Sequence, residues 1–356
     1  MLGGRGGSRI LLPLLRPLGA LTGAVARGRR CRARPRVHVA PRVVSVGNLA
    51  VGGLGKTPMV ACLVNLLRAR SQRVGVVTGA YRARPQRRRT QSGGRFRADM
   101  ARGHATRDDA IDRVGDEAVM LADTLPDTIV AAGRPKSLAL QWLADASELD
   151  WIVLDDGFQH HALARDIDIV LLHGPRPFGS GRVLPAGRLR EGPDALQHAD
   201  VIVFTGGEAS TATRADVSRV SPDALLLTAR HAVVGLRDAS GASIPAAVVD
   251  GSDVVAVCGL GSPDSFAATL DGLGARAELI RYTDHHAYSR ADLRRIEAAA
   301  QGRAIVTTAK DAAKWQGRAP FPYVVVDVEL RVNDPAALLA RVVGSDSATG
   351  GDYDRP

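Results

Sequence analysis

A mainly parallel α/β sheet covered by helices on both faces is the fold class the sequence predicts, and three observations predict it. Short β-branched runs alternate with helix-length apolar periodicities along most of the chain, the pattern of βαβ units. One early run passes through a glycine-rich turn directly into an apolar helix. A second βα series follows a turn signal at Asp238-Ala239-Ser240-Gly241-Ala242, so a smaller C-terminal α/β domain joined by a β-hairpin linker is expected.

In order, the first helix after the glycine-rich turn is expected from Thr57 to Arg70, with Leu63, Leu66 and Leu67 on one face, and a short buried strand at Val74–Val77 closes a βαβ unit. Next come a helix at Asp116–Thr124, a strand at Thr128–Ala131 and a helix at Pro135–Ala146. Strands follow at Trp151–Leu154, Ile167–Leu172 and Val201–Phe204. The arginine-rich stretch 82–103 has no period and reads as a loop. In the second domain the expected elements are a strand at Val254–Cys258, a helix at Pro263–Leu273 capped by Ser262, and a strand at Ala277–Tyr282. A helix at Ser289–Ala300 and strands at Ala304–Thr308 and Tyr323–Val328 complete it. The division drawn is 1–37 for a basic, apolar N-terminal segment, 38–224 for the larger domain, 225–250 for the linker, 251–343 for the smaller domain and 344–356 for a polar, disordered tail.

The glycine-rich turn carries the chemistry. In Val46-Gly47-Asn48-Leu49-Ala50-Val51-Gly52-Gly53-Leu54-Gly55-Lys56-Thr57-Pro58 the glycines free backbone N–H groups to face phosphate oxygens. Lys56 supplies a cation for β- and γ-phosphates, and the Thr57 hydroxyl is a ligand for Mg²⁺. The segment Gly52, Gly53, Leu54, Gly55, Lys56, Thr57, Pro58 is therefore a nucleotide-binding P-loop of the Gly-Gly-x-Gly-Lys-Thr kind, with Ala50 where the usual spacing has its first glycine. ATP and Mg²⁺ are the expected cofactors. Downstream, Trp151-Ile152-Val153-Leu154-Asp155-Asp156 is an apolar strand ending in two carboxylates, the way a Walker B element presents acid to Mg²⁺.

Composition narrows the partners. The chain has 356 residues, 45% hydrophobic content and a formal charge of +10, with nine arginines and no acid in residues 1–36 and seven more arginines in 82–97. Such runs suit nucleic acid, anionic lipid or phosphorylated substrates, or reflect coding bias. With aromatics at 4% and no recognised module, no nucleic acid is expected. Cys31, Cys62 and Cys258 have no metal or redox spacing, which indicates a reducing compartment. The apolar segment Ile10–Leu21 is interrupted by Pro13, Arg16 and Pro17, and it is shorter than the roughly 20 residues of a spanning helix. It reads as an interfacial element on an anionic membrane surface.

Taken together, Val-Gly-Asn-Leu-x-Val-Gly-Gly-x-Gly-Lys-Thr-Pro at 46–58, Asp-Asp-Gly-Phe-Gln-His at 155–160, Arg-Pro-Phe-Gly at 176–179 and Leu-Pro-Ala-Gly-x-Leu-Arg-Glu at 184–191 resemble the tetraacyldisaccharide 4′-kinase family. Gly115-Asp116-Glu117, Cys258-Gly259-Leu260-Gly261, Asp284-His285-His286 and Lys310-Asp311 extend the resemblance over roughly residues 10 to 330. It implies a peripheral or monotopic enzyme on the cytoplasmic face of the inner membrane. Such an enzyme moves the ATP γ-phosphate to the 4′-hydroxyl of an acylated glucosamine disaccharide 1-phosphate, giving lipid IVA, without an obligate protein partner.

The resemblance also suggests roles. Asp116 is the expected base for the hydroxyl, or else a helix N-cap, and His285 or His286 is its helper. Metal ligation falls to Thr57, Asp155 and Asp156, and substrate contacts to Asn48, Gln159, His160, Arg190 and Glu191, the last two alternatively pairing with one another. Two positions depart from the family pattern: Gly79 where an arginine is usual and Ala309 where a glutamate is usual. The competing reading is a P-loop ATPase or GTPase switch of the partitioning or metallochaperone type, which shares the loop.

Overall fold

A computed structural model describes residues 7–33, 35–80, 114–260, 263–283, 286–315 and 317–344, with backbone alone at 7–14 and 116. The loop expected at 82–103, the Ser262 cap, Asp284, His285 and the tail from 345 onward lie outside the described residues. The chain divides into two compact units, the first made of Met1–Ala229 and Val332–Pro356, the second of Arg230–Arg331.

The first unit is built on parallel strands β1 (Arg42–Asn48), β2 (Val74–Gly79), β3 (Ile129–Gly133), β4 (Trp151–Asp155), β5 (Ile167–His173) and β6 (Val201–Thr205), with the start of β7 (Leu225–Asp238) at one edge. Their spatial order is β3-β2-β4-β1-β5-β6-β7. Every residue of β4 and β6 is buried, as is β1 beyond Arg42, which requires cover on both faces and explains the unbroken Val/Ile/Leu runs. One layer of that cover packs Leu140 and Leu143 against Val77, Ile152 and Leu154; another packs Phe158, Leu189 and Leu196 against Val170, Leu172 and Ile202.

Helices of this unit are α1 (Gly7–Arg32), α2 (Lys56–Arg68), α3 (Asp116–Thr124), α4 (Lys136–Ala146) and α5 (Thr211–Val220). The register sets Val46 of β1 beside Asp155 of β4, so the end of the strand that enters the glycine-rich loop adjoins the end that carries the carboxylates. This C-terminal edge of a parallel sheet, beside the central strand from which the order runs both ways, is where α/β folds bind ligands.

The second unit orders β10 (Arg276–Arg281), β9 (Asp253–Cys258), β11 (Ala304–Thr308) and β12 (Val324–Val332) in parallel. Val254, Ala256 and Cys258 face one core cluster, with Phe266 and Leu270 of α6 (Pro263–Asp271). Val255 and Val257 face the other, with Leu293 and Ile296 of α7 (Arg290–Ala300) and Trp315 of α8 (Ala309–Trp315). The expected hairpin is present in reduced form: β7 turns at Asp238, whose Oδ1 accepts from Ser240 N and Ala242 N, and β8 (Ser243–Ile244) returns against Arg237 and Leu236. Its long arm, β7, starts beside β6.

A last helix, α9 (Pro335–Val343), not among the elements expected from sequence, lies within the 251–343 stretch assigned to the smaller domain and groups with the first unit. Asn333 exchanges hydrogen bonds with Thr228, Arg341 donates to Asp223 O at 3.1 Å, and Arg42 donates to Val343 O at 3.0 Å.

Candidate active site

β1 ends at Asn48 and α2 begins at Lys56; between them the loop is tied by its backbone. Val51 N donates to Arg188 O at 2.8 Å, and Arg188 Nη2 donates back to Val51 O at 3.0 Å. Thr205 Oγ1 donates to Leu54 O at 3.0 Å. Gly55 caps α2 with φ 84°, and Gly52 has φ 125° with Arg188 Nη2 2.6 Å from where a Cβ would stand, so both need glycine. Among the described residues nothing lies within 4 Å of a Cβ position at Gly53, and Gly53 is exposed. No acid occupies the first turn of α2, so its free N–H groups and positive dipole end stay available to an anion. Pro58 sits in that first turn, where a missing N–H costs nothing. Thr57 beside it is half-buried.

The two carboxylates differ in environment. Asp155 is 2% exposed; Thr78 Oγ1 donates to its Oδ2 at 2.9 Å, while its Oδ1 has no hydrogen-bond partner among the described residues. Burial pushes its carboxyl above the usual range against the pull of Lys136 and Thr78. Asp156, at φ 53°, receives Arg190 Nη1 at 2.8 Å and lies 3.7 Å from Lys56 Nζ. Burial would raise it too, but Lys56 and Arg190 outweigh burial and hold it below the usual range.

Arg190 Nη1 also reaches Gln159 Oε1 at 3.2 Å, and Gln159 Nε2 donates to Asn48 O at 2.9 Å. Asn48, fully buried, turns its own Nδ2 toward Gly52 O at 3.4 Å. Lys56, Asp155, Asp156, Asn48, Gln159 and Arg190 therefore share one edge of the sheet, joined by ion pairs, hydrogen bonds and strand register.

The remaining candidates separate. Asp116 opens α3 behind Gly115, which occupies the cap position with φ 91°; the Asp116 side chain lies outside the described residues. His160 is exposed. Glu191 turns inward and pairs with Arg30 and His161, whereas Arg190 pairs with Asp156. His286 belongs to the second unit, where Nε2 lies 3.2 Å from Asp292 Oδ2 and the ring stacks 4.5 Å from Tyr282. Asp292 completes a capping box with Ser289 at the start of α7.

Sequence reasoning passed over Lys136. It is 7% exposed, and its Nζ donates to Asp155 O and, at 2.9 Å, to Asp156 O. Burial lowers its pKa against the raising effect of both aspartates. Its Cε lies 3.5 Å from a Cβ position at Gly79, so a cation stands beside the place where the family arginine is missing. The signal was present: a lysine at the first turn of a helix that directly follows a strand end lies at the same sheet edge as the P-loop.

Compared with known proteins, residues 11–345 match the family model for tetraacyldisaccharide-1-P 4′-kinase (LpxK). The chain belongs to this family. A tetraacyldisaccharide 4′-kinase of Acidithiobacillus ferrooxidans is 38% identical over 307 residues, covering 85% of this chain and 85% of that protein. One from Pseudomonas aeruginosa is 36% identical over 324 residues, covering 89% of each. A crystal structure of Aquifex aeolicus LpxK in complex with ATP superimposes with a TM-score of 0.70 over 94% of this chain and 98% of that one, at 24% identity, and shares its fold. The switch-type reading gives way to this family.

Proposed function

We propose that this chain is an ATP-dependent kinase of lipid A biosynthesis that phosphorylates the 4′-hydroxyl of tetraacyldisaccharide 1-phosphate. The observation that carries the reading is the meeting, in a member of this family, of a preformed P-loop with a buried carboxylate whose Oδ1 lacks a partner. Phosphoryl transfer asks a protein chiefly for positioning and for neutralising charge on the moving group. Open loop amides and the N-terminus of α2 hold phosphate oxygens, and Lys56 adds a point charge. Mg²⁺ fits this donor set: a hard cation seeks carboxylate and hydroxyl oxygen, which Asp155 and Thr57 offer, with Asp156 beside them. When bound, the ion screens the β- and γ-phosphate charge.

Arg190 and Gln159 fix Asp156, while Asn48 braces the loop, so these three serve the site through position, and exposed His160 is left to meet the acceptor. Asp116 is the base, with His285 or His286 as helper. Incubation of the protein with ³²P-labelled ATP and the disaccharide 1-phosphate in detergent should give labelled lipid. ATP hydrolysis independent of acceptor, without lipid labelling, would refute the reading.

The metal assignment has its own check. Asp155→Ala should shift the magnesium dependence of turnover to at least about tenfold higher concentration, since Asp155 has an unpartnered oxygen, and Asp156→Ala should shift it less because Arg190 already engages that carboxylate. Superimposable magnesium titrations for wild type and both variants would remove the ligands proposed here.

Membrane association follows from α1. Leu18, Leu21 and Val25, 46–61% exposed, lie three and four residues apart on one stripe of the helix, opposite the stripe of Gly19, Gly23 and Arg30. Among the described residues no helix is long and apolar enough to cross a membrane. The exposed stripe flanked by arginines suits an anionic leaflet on the cytoplasmic face, where each basic residue contributes on the order of 1 kcal/mol. Replacing Leu18, Leu21 and Val25 together by serine should lower partition into anionic vesicles by about 10–100-fold with melting temperature unchanged. Equal sedimentation of variant and wild type with vesicles would reject the stripe as the contact.

A further inference from the structure

One arginine of α1 reaches both segments that shape the nucleotide edge of the sheet. Arg30 Nε donates to Glu191 Oε2 at 2.7 Å, with the two side chains 8% and 6% exposed. The same guanidinium donates from Nη2 to Phe158 O at 3.1 Å and lies 4.2 Å from the centroid of the Phe158 ring. His161 Nε2 stands 3.3 Å from the other Glu191 oxygen. Both anchor points adjoin residues of the site: Phe158 precedes Gln159, and Glu191 follows Arg190.

The rest of α1 is seated on the same stretch of chain. A Cβ at Gly19 would stand 2.8 Å from Ala186 Cβ and 2.9 Å from Val183 O, so the absent side chain is what permits the approach. Thr22 Oγ1 donates to Leu184 O, and Arg27 pairs with Asp194 at 2.8 Å. Seating along 183–194 thus runs from Gly19 to Arg30.

A buried ion pair is a poor source of stability, because desolvation of two charges cancels much of their attraction; well-packed apolar residues often do as well. What Arg30 provides and an apolar side chain cannot is direction. Its planar fork fixes Glu191 and the Phe158 carbonyl at once, a geometry a lysine does not reproduce. Glu191 is held inward by Arg30 and His161, and Arg190, its neighbour in the chain, carries Nη1 to Asp156.

We propose that Arg30 and Glu191 are positioning residues: they latch α1 to the 158–161 and 189–191 segments, hold Arg190 on Asp156, and so make full-rate transfer depend on a seated α1. The rate part of this proposal rests on the kinase reading above; the latch itself does not.

Hydrogen exchange and kinetics of the full-length protein test it. Arg30→Met keeps the stem and removes the fork, and Glu191→Gln keeps shape and removes charge. Each should speed amide exchange in residues 183–192 and lower kcat by about 10–100-fold, with KM for ATP within about threefold, the mark of misplacement rather than lost binding. Arg30→Lys should recover little. In an Arg190→Met background, where the Nη1 contact with both oxygens of Asp156 is already lost, Arg30→Met should cost less than about twofold more. Unchanged exchange in 183–192 overturns the latch, and an equal fold-loss in both backgrounds overturns its route through Arg190. Should Arg30→Met not fold, Glu191→Gln carries the same comparison. A wild type that labels no lipid rejects the kinase reading while exchange still decides the latch.

Discussion

Lys56→Ala should cut phosphoryl transfer by about 10³-fold or more while shifting stability by less than about 1 kcal/mol. The asymmetry comes from where the ammonium stands. Lys56 is held 3.7 Å from Asp156, a longer and looser contact than the 2.8 Å hold that Arg190 keeps on the same carboxylate, so the folded protein retains its stronger pair when Lys56 is removed. The reaction has no such substitute. Of the other cations at this edge, Arg190 is engaged by Asp156 and Gln159, and Lys136 Nζ already donates to the carbonyls of Asp155 and Asp156 from a buried position. Rate measured beside thermal unfolding decides the matter: near wild-type transfer would mean that the P-loop does not bind the reacting phosphates, and a large drop in melting temperature would mean that Lys56 is structural.

What could be read beforehand divides along the range of the forces involved. The P-loop and the Asp155-Asp156 pair were legible because backbone geometry fixes them locally: glycine at positive φ, a helix start, an apolar strand with acids at its end. The start of α9 carries equally local signals, Asp334 as N-cap and Pro335 in the first turn ahead of Leu338, Leu339 and Val342, but they were passed over and the helix was not expected. By contrast α8 spans seven residues, too few for a helical period to show.

Thr78 on Asp155, Arg30 on Glu191 and Arg190 on Asp156 join residues 77, 161 and 34 positions apart, and nothing in the local pattern marks such partners. The pairing of Arg190 with Glu191 considered from sequence gives way to partners far along the chain, Asp156 for Arg190 and Arg30 for Glu191.

Asp116→Asn should lower kcat by about 10²–10⁴-fold with ATP affinity nearly unchanged, if the carboxylate takes the proton of the 4′-hydroxyl. Asparagine keeps the shape and the hydrogen-bonding reach of aspartate and loses its basicity. The backbone narrows the competing explanation. Gly115 holds the cap position of α3 and Asp116 follows as the first helical residue, so Asp116 does not stand where an N-cap side chain acts. A negative charge at a helix N-terminus contributes about 0.3–1 kcal/mol, which moves a melting temperature and leaves a rate alone. Single-turnover transfer is the measurement, run beside His285→Ala and His286→Ala. His286 already has work in the second unit, against Asp292 and the Tyr282 ring, so its alanine variant should lose stability first. A silent Asp116→Asn rejects the base. A rate loss confined to His285→Ala makes His285 the helper, whereas one confined to His286→Ala at unchanged melting temperature transfers that role to His286.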